Sequence, residues 1–253
     1  MTLPLTGTVA LVTGTSSGIG HATARELAAR GASVALVARR QDRLEALAAH
    51  IKEAGGTALA VPADITDRAQ AEAAVQVVVK RFGRLDILVN NAGLMLLGPI
   101  VGGNLEEWER MIAINQKGLL YMTSAALPHL LTAAEDEPRR VADVVNISSI
   151  AGRVAWANYG VYNMTKFGVN GFTESLRQEI TKKHVRVGVV EPGGVDTELG
   201  SHNSGAMRDS IDAFYKNTEV LQAEDIADGV AYMVTRPRHA SISELWIMPT
   251  DQA

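Results

Sequence analysis

The chain of 253 residues is 47% hydrophobic and 21% charged, an ordinary globular balance with enough length to bury a substantial core. Its 24 Lys and Arg against 28 Asp and Glu leave a formal net charge of −4, so no basic excess is available to neutralise phosphates and nucleic acid is not an expected partner. With no cysteine, disulfides, thiolate metal sites and a Cys nucleophile are excluded. The opening "MTLPLTGTVALVTG" is unlike a secretory signal, and no apolar stretch approaches the roughly 20 residues that span a bilayer. A cytoplasmic protein without a membrane partner is the expectation.

Short runs rich in branched apolar residues recur along the chain at 8–12, 33–38, 57–61, 86–90, 143–147, 185–190 and 245–248. Between them, stretches such as 20–31 and 68–83 place apolar residues at threes and fours with charges opposite, the spacing of a helix. Strands buried on both faces and separated by helices predict an α/β fold, a doubly wound parallel sheet of about seven strands with helices on both faces. No linker or internal repeat interrupts the alternation, so residues 1–253 read as a single domain.

The first strand runs into "TGTSSGIG" (13–20), where Gly14, Gly18 and Gly20 close the strand and open a helix. Glycines there let backbone approach a phosphate, which the N–H groups and dipole of the helix start then hold. At the end of the second strand, Ala38 stands where an acidic residue would bond both ribose hydroxyls of NAD. Arg39 and Arg40 follow at once, and a guanidinium suits a 2′-phosphate, so NADP is the expected cofactor. Arg43 reads as the solvated start of the next helix.

Further along come "NNAG" (90–93), "VVNISSIAGR" (144–153) and "YGVYNMTK" (159–166). The last raises the question of which tyrosine works with the lysine. Residues four apart on a helix share a face about 6 Å apart along the axis, and Tyr162 stands four before Lys166. Tyr159 is seven before it, roughly 10 Å along the axis, and its own i+4 neighbour is the uncharged Asn163. An ammonium beside a phenol favours the phenolate, so Tyr162, with its pKa drawn down, is the acid/base candidate. Tyr159 lines the cleft or packs, and Trp156 does one or the other. Ser149, at the carboxyl end of the fifth strand, is placed to hold a substrate oxygen.

Together, "TGTSSGIG", "NNAG" and "YNMTK" resemble the short-chain dehydrogenase/reductase family in its simple branch, over nearly the whole chain. More narrowly, "LMLLGP", "VYNMTKFGVN" and the tail "RPRHASISELWIMPTDQA" resemble a subgroup of clavulanate and NADP-dependent hydroxy-acid (serine) dehydrogenases. The resemblance implies a Rossmann-type sheet and hydride transfer between nicotinamide and a small-molecule carbonyl or secondary alcohol, with Asn115, Ser149, Tyr162 and Lys166 as catalytic residues. It also implies that Asn115 positions a relay water beside Lys166, and that Lys166 holds the nicotinamide ribose. Asp64, with Ile65, is assigned to the adenine, and Asn90 to the central sheet and the edge of the ribose. Ser16, Ser17, Ile19, Asn91, Ala92 and Gly93 join the cofactor surface, while Pro192, Gly193, Val195 and Thr197 take the carboxamide. A homotetramer and a substrate lid over about 199–218 are further implications. The alternative reading is a non-catalytic NADP-binding sensor on the same fold. The six histidines show no ligand spacing, so no metal is expected.

Overall fold

The computed structural model describes residues 3–252. Seven strands form one parallel sheet: β1 (Val9–Thr13), β2 (Ser33–Ala38), β3 (Thr57–Pro62), β4 (Ile87–Asn90), β5 (Ala142–Ile147), β6 (Val185–Pro192) and β7 (Glu244–Ile247). Their order is β3-β2-β1-β4-β5-β6-β7, so the chain reverses its direction of travel between β1 and β4. A crevice opens outside the carboxyl ends of the strands at such a switch point. β1, β4, β5 and β6 are buried along their whole length, which explains why the sequence shows continuous apolar runs rather than alternation.

One face of the sheet is covered by α1 (Gly18–Ala29), α2 (Gln41–Glu53) and α8 (Ala223–Val234), which bury Leu27, Leu44, Leu47 and Ile226 against β1 and β2. The other is covered by α3 (Arg68–Phe82), α5 (Leu119–Ala133) and α6 (Gly160–Ile180), which bury Val75, Met122, Leu130 and Leu176. Local chemistry sets their ends. Asp67 caps α3 by accepting from the Ala69 and Gln70 amides, and Gly83 ends it in the left-handed region at φ 81°. The long α6 begins at Gly160, so Tyr159 is its capping residue and Trp156 lies in the turn before it.

A third apolar cluster lies at the carboxyl edge of the sheet. There Leu94, Leu96 and Leu97 after β4 meet Met111 of α4 (Leu105–Ile112), Tyr162 of α6 and Ile211 of α7 (Gly205–Asn217). The segment 199–218, expected as a lid, is mostly helical. Met207, Ile211, Phe214 and Tyr215 recur at helical spacing, and all four face the cleft. Between α4 and α5 the chain widens into a π-turn, Ala113–Gly118, which carries Asn115. No helix among the described residues is long and apolar enough to cross a membrane.

Candidate active site

The carboxyl ends of β1, β2, β4, β5 and β6 open into one cleft of about 870 Å³. Its floor is the glycine turn. Gly14 adopts φ 71°, which a side chain would strain, and an added Cβ would lie 2.8 Å from the Ala92 backbone. α1 then starts at Gly18 with no side-chain cap and no acid in its first turn, so its leading N–H groups are free to meet an anion. Ser16, Ser17, Gly18 and Ile19 all line the cleft. Gly20 is set back from this surface. A Cβ there would meet Asn91 Nδ2 at 2.3 Å and the Gly14 carbonyl at 2.6 Å, so this glycine lets the helix close on the turn.

The two asparagines of "NNAG" divide their work. Asn90 donates to Thr123 Oγ1 and Asn146 Oδ1, both at 2.9 Å, and so ties β4 to α5 and β5. It lies outside the cleft, which corrects its expected place beside the ribose. Asn91 donates to the Thr13 carbonyl at 2.9 Å and, with Ala92 and Gly93, forms the cleft wall beside the glycine turn.

Asp64 and Ile65 close the far end. One Asp64 oxygen accepts from the Thr66 amide and hydroxyl at 3.0 and 2.7 Å, and the other has no partner among the described residues. Arg39 also faces the cleft with no side-chain partner among them. Arg40 is engaged: it donates to Ser16 Oγ at 2.8 Å, to Ser17 Oγ at 3.0 Å and to Glu198 at 3.0 Å. Arg43 stands in the first turn of α2 as a solvated, 43% exposed side chain, and it also reaches Glu198 at 2.7 Å. Glu198 escaped the sequence reading, as the two residues lie 155 positions apart.

At the end of β6 and just beyond it, Pro192, Gly193, Val195 and Thr197 line the opposite wall. Gly193 donates to the Ile247 carbonyl and Gly194 to Gln252 Oε1, while Val195 accepts from Tyr215 Oη. The Val195 N–H has no partner among the described residues.

Between these walls sit the residues of chemical interest. Tyr162 is 4% exposed and shares the cleft surface with Ser149. Ser149 Oγ accepts from the Ala151 amide at 3.1 Å, and its O–H is directed to the Tyr162 oxygen in the cleft. Its neighbour Ser148 donates instead to the Lys166 carbonyl and holds the loop on α6. Lys166 Nζ donates to the Ile147 carbonyl at 3.0 Å and lies 5.7 Å from the centre of the Tyr162 ring.

The expected drawing-down of the Tyr162 pKa is corrected. Burial pushes the phenol well above its ordinary value, and the Ser149 hydroxyl only partly opposes it. The same burial brings Lys166 down to about 8, so it stays mostly charged at neutral pH and loses its charge above it. Tyr162 is therefore held in its protonated form, able to donate. Tyr159 lines the cleft too, edge-on to Trp156 with ring centres 5.4 Å apart.

Both N–H groups of the Asn115 amide are committed. It donates to the Leu94 carbonyl at 2.9 Å and Thr165 Oγ1 at 3.0 Å and accepts from the Leu94 amide at 2.8 Å. It pins the strand β4 exit onto α6 beside Lys166. Among the described residues no group of three or more acids and histidines could hold a metal ion.

The pattern of the short chain dehydrogenase family matches residues 8–207. The chain belongs to the short-chain dehydrogenase/reductase family. It is 35% identical over 249 residues to an oxidoreductase of Staphylococcus saprophyticus, covering 97% of each. It is also 37% identical to the glycine betaine reductase ATRR of Emericella nidulans, although it spans only 19% of that longer protein. Among solved structures, the closed form of serine dehydrogenase complexed with NADP+ superposes with a TM-score of 0.88 at 34% identity, over 97% of this chain and 96% of the other. A metagenomic short-chain oxidoreductase in complex with NADP gives 0.81 at 33%, over 98% and 99%. Membership in this family makes the chain an oxidoreductase of the nicotinamide-dependent kind.

Proposed function

We propose that the protein is an NADP-dependent oxidoreductase acting on a carbonyl or secondary alcohol of a small molecule, with Tyr162 as acid/base. The observation that carries this reading is the meeting of Ser149, Tyr162 and Lys166 in the same cleft as the glycine turn. The residues around that cleft fit the cofactor. The uncapped start of α1 suits a pyrophosphate, the free Asp64 oxygen suits the adenine amine, and the unpaired Arg39 suits a 2′-phosphate. The unpaired Val195 N–H suits the carboxamide oxygen, with Thr197 beside it. The NADP bound in two structurally similar relatives supports the same choice. When bound, NADPH supplies the hydride.

The chain's own groups do the rest. In reduction, the Ser149 hydroxyl donates to the substrate carbonyl oxygen and Tyr162 gives that oxygen a proton as it becomes a hydroxyl. The elevated pKa of Tyr162 keeps it protonated for this step. The Lys166 ammonium, held by the Ile147 carbonyl, then stabilises the phenolate left behind. In oxidation the same groups run in reverse. Asn115 acts as a positioning residue: its bonds to Leu94 and Thr165 fix the wall beside Lys166, and the relay water assigned to it rests on that location.

The segment 199–218 serves as the substrate lid, its apolar face of Met207, Ile211 and Phe214 turned to the cleft. A homotetramer is proposed as well, supported by the exposed Leu120 on α5 and Met164 and Phe167 on α6. The function is tested by following NADPH consumption over ketones, aldehydes, quinones and 3-oxo acids, and NADP+ reduction over hydroxy acids and secondary alcohols. Turnover with at least one class is expected. Tight NADP binding without turnover of any would favour the sensor reading.

A further inference from the structure

One acidic side chain stands among the basic groups at the adenosine end of the cleft. Glu198 Oε2 lies 3.0 Å from an Arg40 nitrogen and Glu198 Oε1 lies 2.7 Å from an Arg43 nitrogen, so one carboxylate spans two guanidinium groups. Arg40 is held in turn by Ser16 and Ser17 of the glycine turn. The arrangement brings together groups from three separate elements, and Arg40 and Glu198 line the same cleft as Ala38, the position expected to face the ribose 2′ group.

Two guanidinium groups around a pair of anionic oxygens are also what a phosphate monoester takes. Glu198 thus holds, with a carboxylate, guanidinium groups for which a 2′-phosphate seated on Arg39 would compete. The three side chains are 41%, 43% and 44% exposed, so water and a competing anion can reach them. The pair with Arg43, together with Arg40 and Ser17, holds the Glu198 carboxyl down at about 2, and it stays charged at every working pH. Glu198 is also the first residue of the turn Glu198–His202, which leads directly into α7 and the apolar face of the lid.

We propose that Glu198 is a specificity-determining residue: a resident counter-ion that the 2′-phosphate displaces from Arg40 and Arg43, releasing the segment 199–217. The inference rests on the NADP reading above. A phosphate monoester carries about −1.5 to −2 charges near pH 7, against one on the carboxylate, so it wins the exchange. NAD(H), which has no 2′-phosphate, leaves the carboxylate in place and the segment held. A ligand shifts an equilibrium only by its differential affinity for the two states, and here that difference resides in a single phosphate.

The test uses 2′,5′-ADP and 5′-AMP, which differ at the 2′-phosphate and carry no nicotinamide to act on the lid. Calorimetry on wild type and Glu198→Gln is expected to show 2′,5′-ADP binding roughly three- to tenfold more tightly to the variant, the scale of a partly exposed pair removed. Binding of 5′-AMP should change less than about twofold, within the spread of an unperturbed site. Hydrogen exchange over 199–217 should rise in wild type with 2′,5′-ADP and not with 5′-AMP. In Glu198→Gln it should already be raised without ligand. Unchanged or weaker 2′,5′-ADP binding by the variant would overturn the proposal, as would equal tightening of both nucleotides or flat exchange. A wild type that binds 2′,5′-ADP no better than 5′-AMP would overturn the NADP reading itself. Failure of the Glu198 proposal alone leaves that preference intact.

Discussion

Lys166 donates to the carbonyl of Ile147 at 3.0 Å, so its ammonium is tethered to the end of β5 and makes no hydrogen bond to the Tyr162 oxygen. The lysine therefore reaches the tyrosine through space, 5.7 Å from the ring centre, inside a site whose burial acts on both groups in opposite directions.

A pH dependence follows from the lowered Lys166 pKa. Reductive kcat/KM should hold level below about pH 8 and fall above it, as the ammonium that stabilises the phenolate is lost. Stability should move the other way. With a folded pKa of about 8 against an unfolded value near 10.4, the unfolded chain binds more protons between those limits, so this group's contribution to stability rises with pH across the window. Urea midpoints at pH 7.5 and 9.5 should show that rise in wild type relative to Lys166→Met, which cannot ionise. Parallel curves for the two proteins would contradict the buried-ammonium account.

Asn115→Ala should lower stability by roughly 2–4 kcal/mol, because it leaves the Leu94 amide and carbonyl without partners in a buried loop. Urea denaturation measures this directly. A loss below about 0.5 kcal/mol, the level of a surface substitution, would show that the bonds are replaced.

Ala38→Asp places a carboxylate at the end of β2 beside the free Arg39. It should reduce catalytic efficiency with NADPH by at least tenfold through repulsion of the 2′-phosphate, while NADH changes little or improves. Arg39→Ala should shrink the NADPH preference without helping NADH. A wild type that prefers NADH would remove the basis for both predictions.

Light scattering at micromolar concentration should return four times the 27.0 kDa chain mass. Leu120→Lys together with Phe167→Glu should lower the assembly state, since both side chains are exposed within the subunit. A stable wild-type monomer would dispose of the tetramer.

Much of this architecture was legible because its signals are local. Each of the seven strands falls within two residues of an apolar run, and parallel strands buried on both faces carry their burial in their own composition. The pairing of Tyr162 with Lys166 was legible for the same reason, since four residues on a helix fix a shared face. Distant partners were not legible. Nothing near Glu198 in the chain marks Arg40 or Arg43 as its neighbours, and nothing near Asn90 shows that Thr123 and Asn146 will absorb its amide. The raised Tyr162 pKa was not legible either: the lysine four residues on is visible in the sequence, but the burial is set in a cluster with the distant Leu94, Met111 and Ile211. The helix α7 is a different case. Its apolar positions at 207, 211, 214 and 215 were present in the sequence, though masked by the polar residues between them.

The most direct test of the central claim is turnover by Tyr162→Phe, with Tyr159→Phe beside it and NADPH binding followed by fluorescence in both. Removing only the oxygen of Tyr162 should lower kcat by roughly 10²–10⁴ while NADPH affinity stays within a few-fold, because a positioned acid/base group is lost and the cleft is otherwise intact. Tyr159→Phe should act mainly on KM for the substrate, as its ring lies against Trp156 at the cleft wall. Equal losses of kcat in the two variants, or a larger loss at Tyr159, would contradict the assignment of the proton to Tyr162.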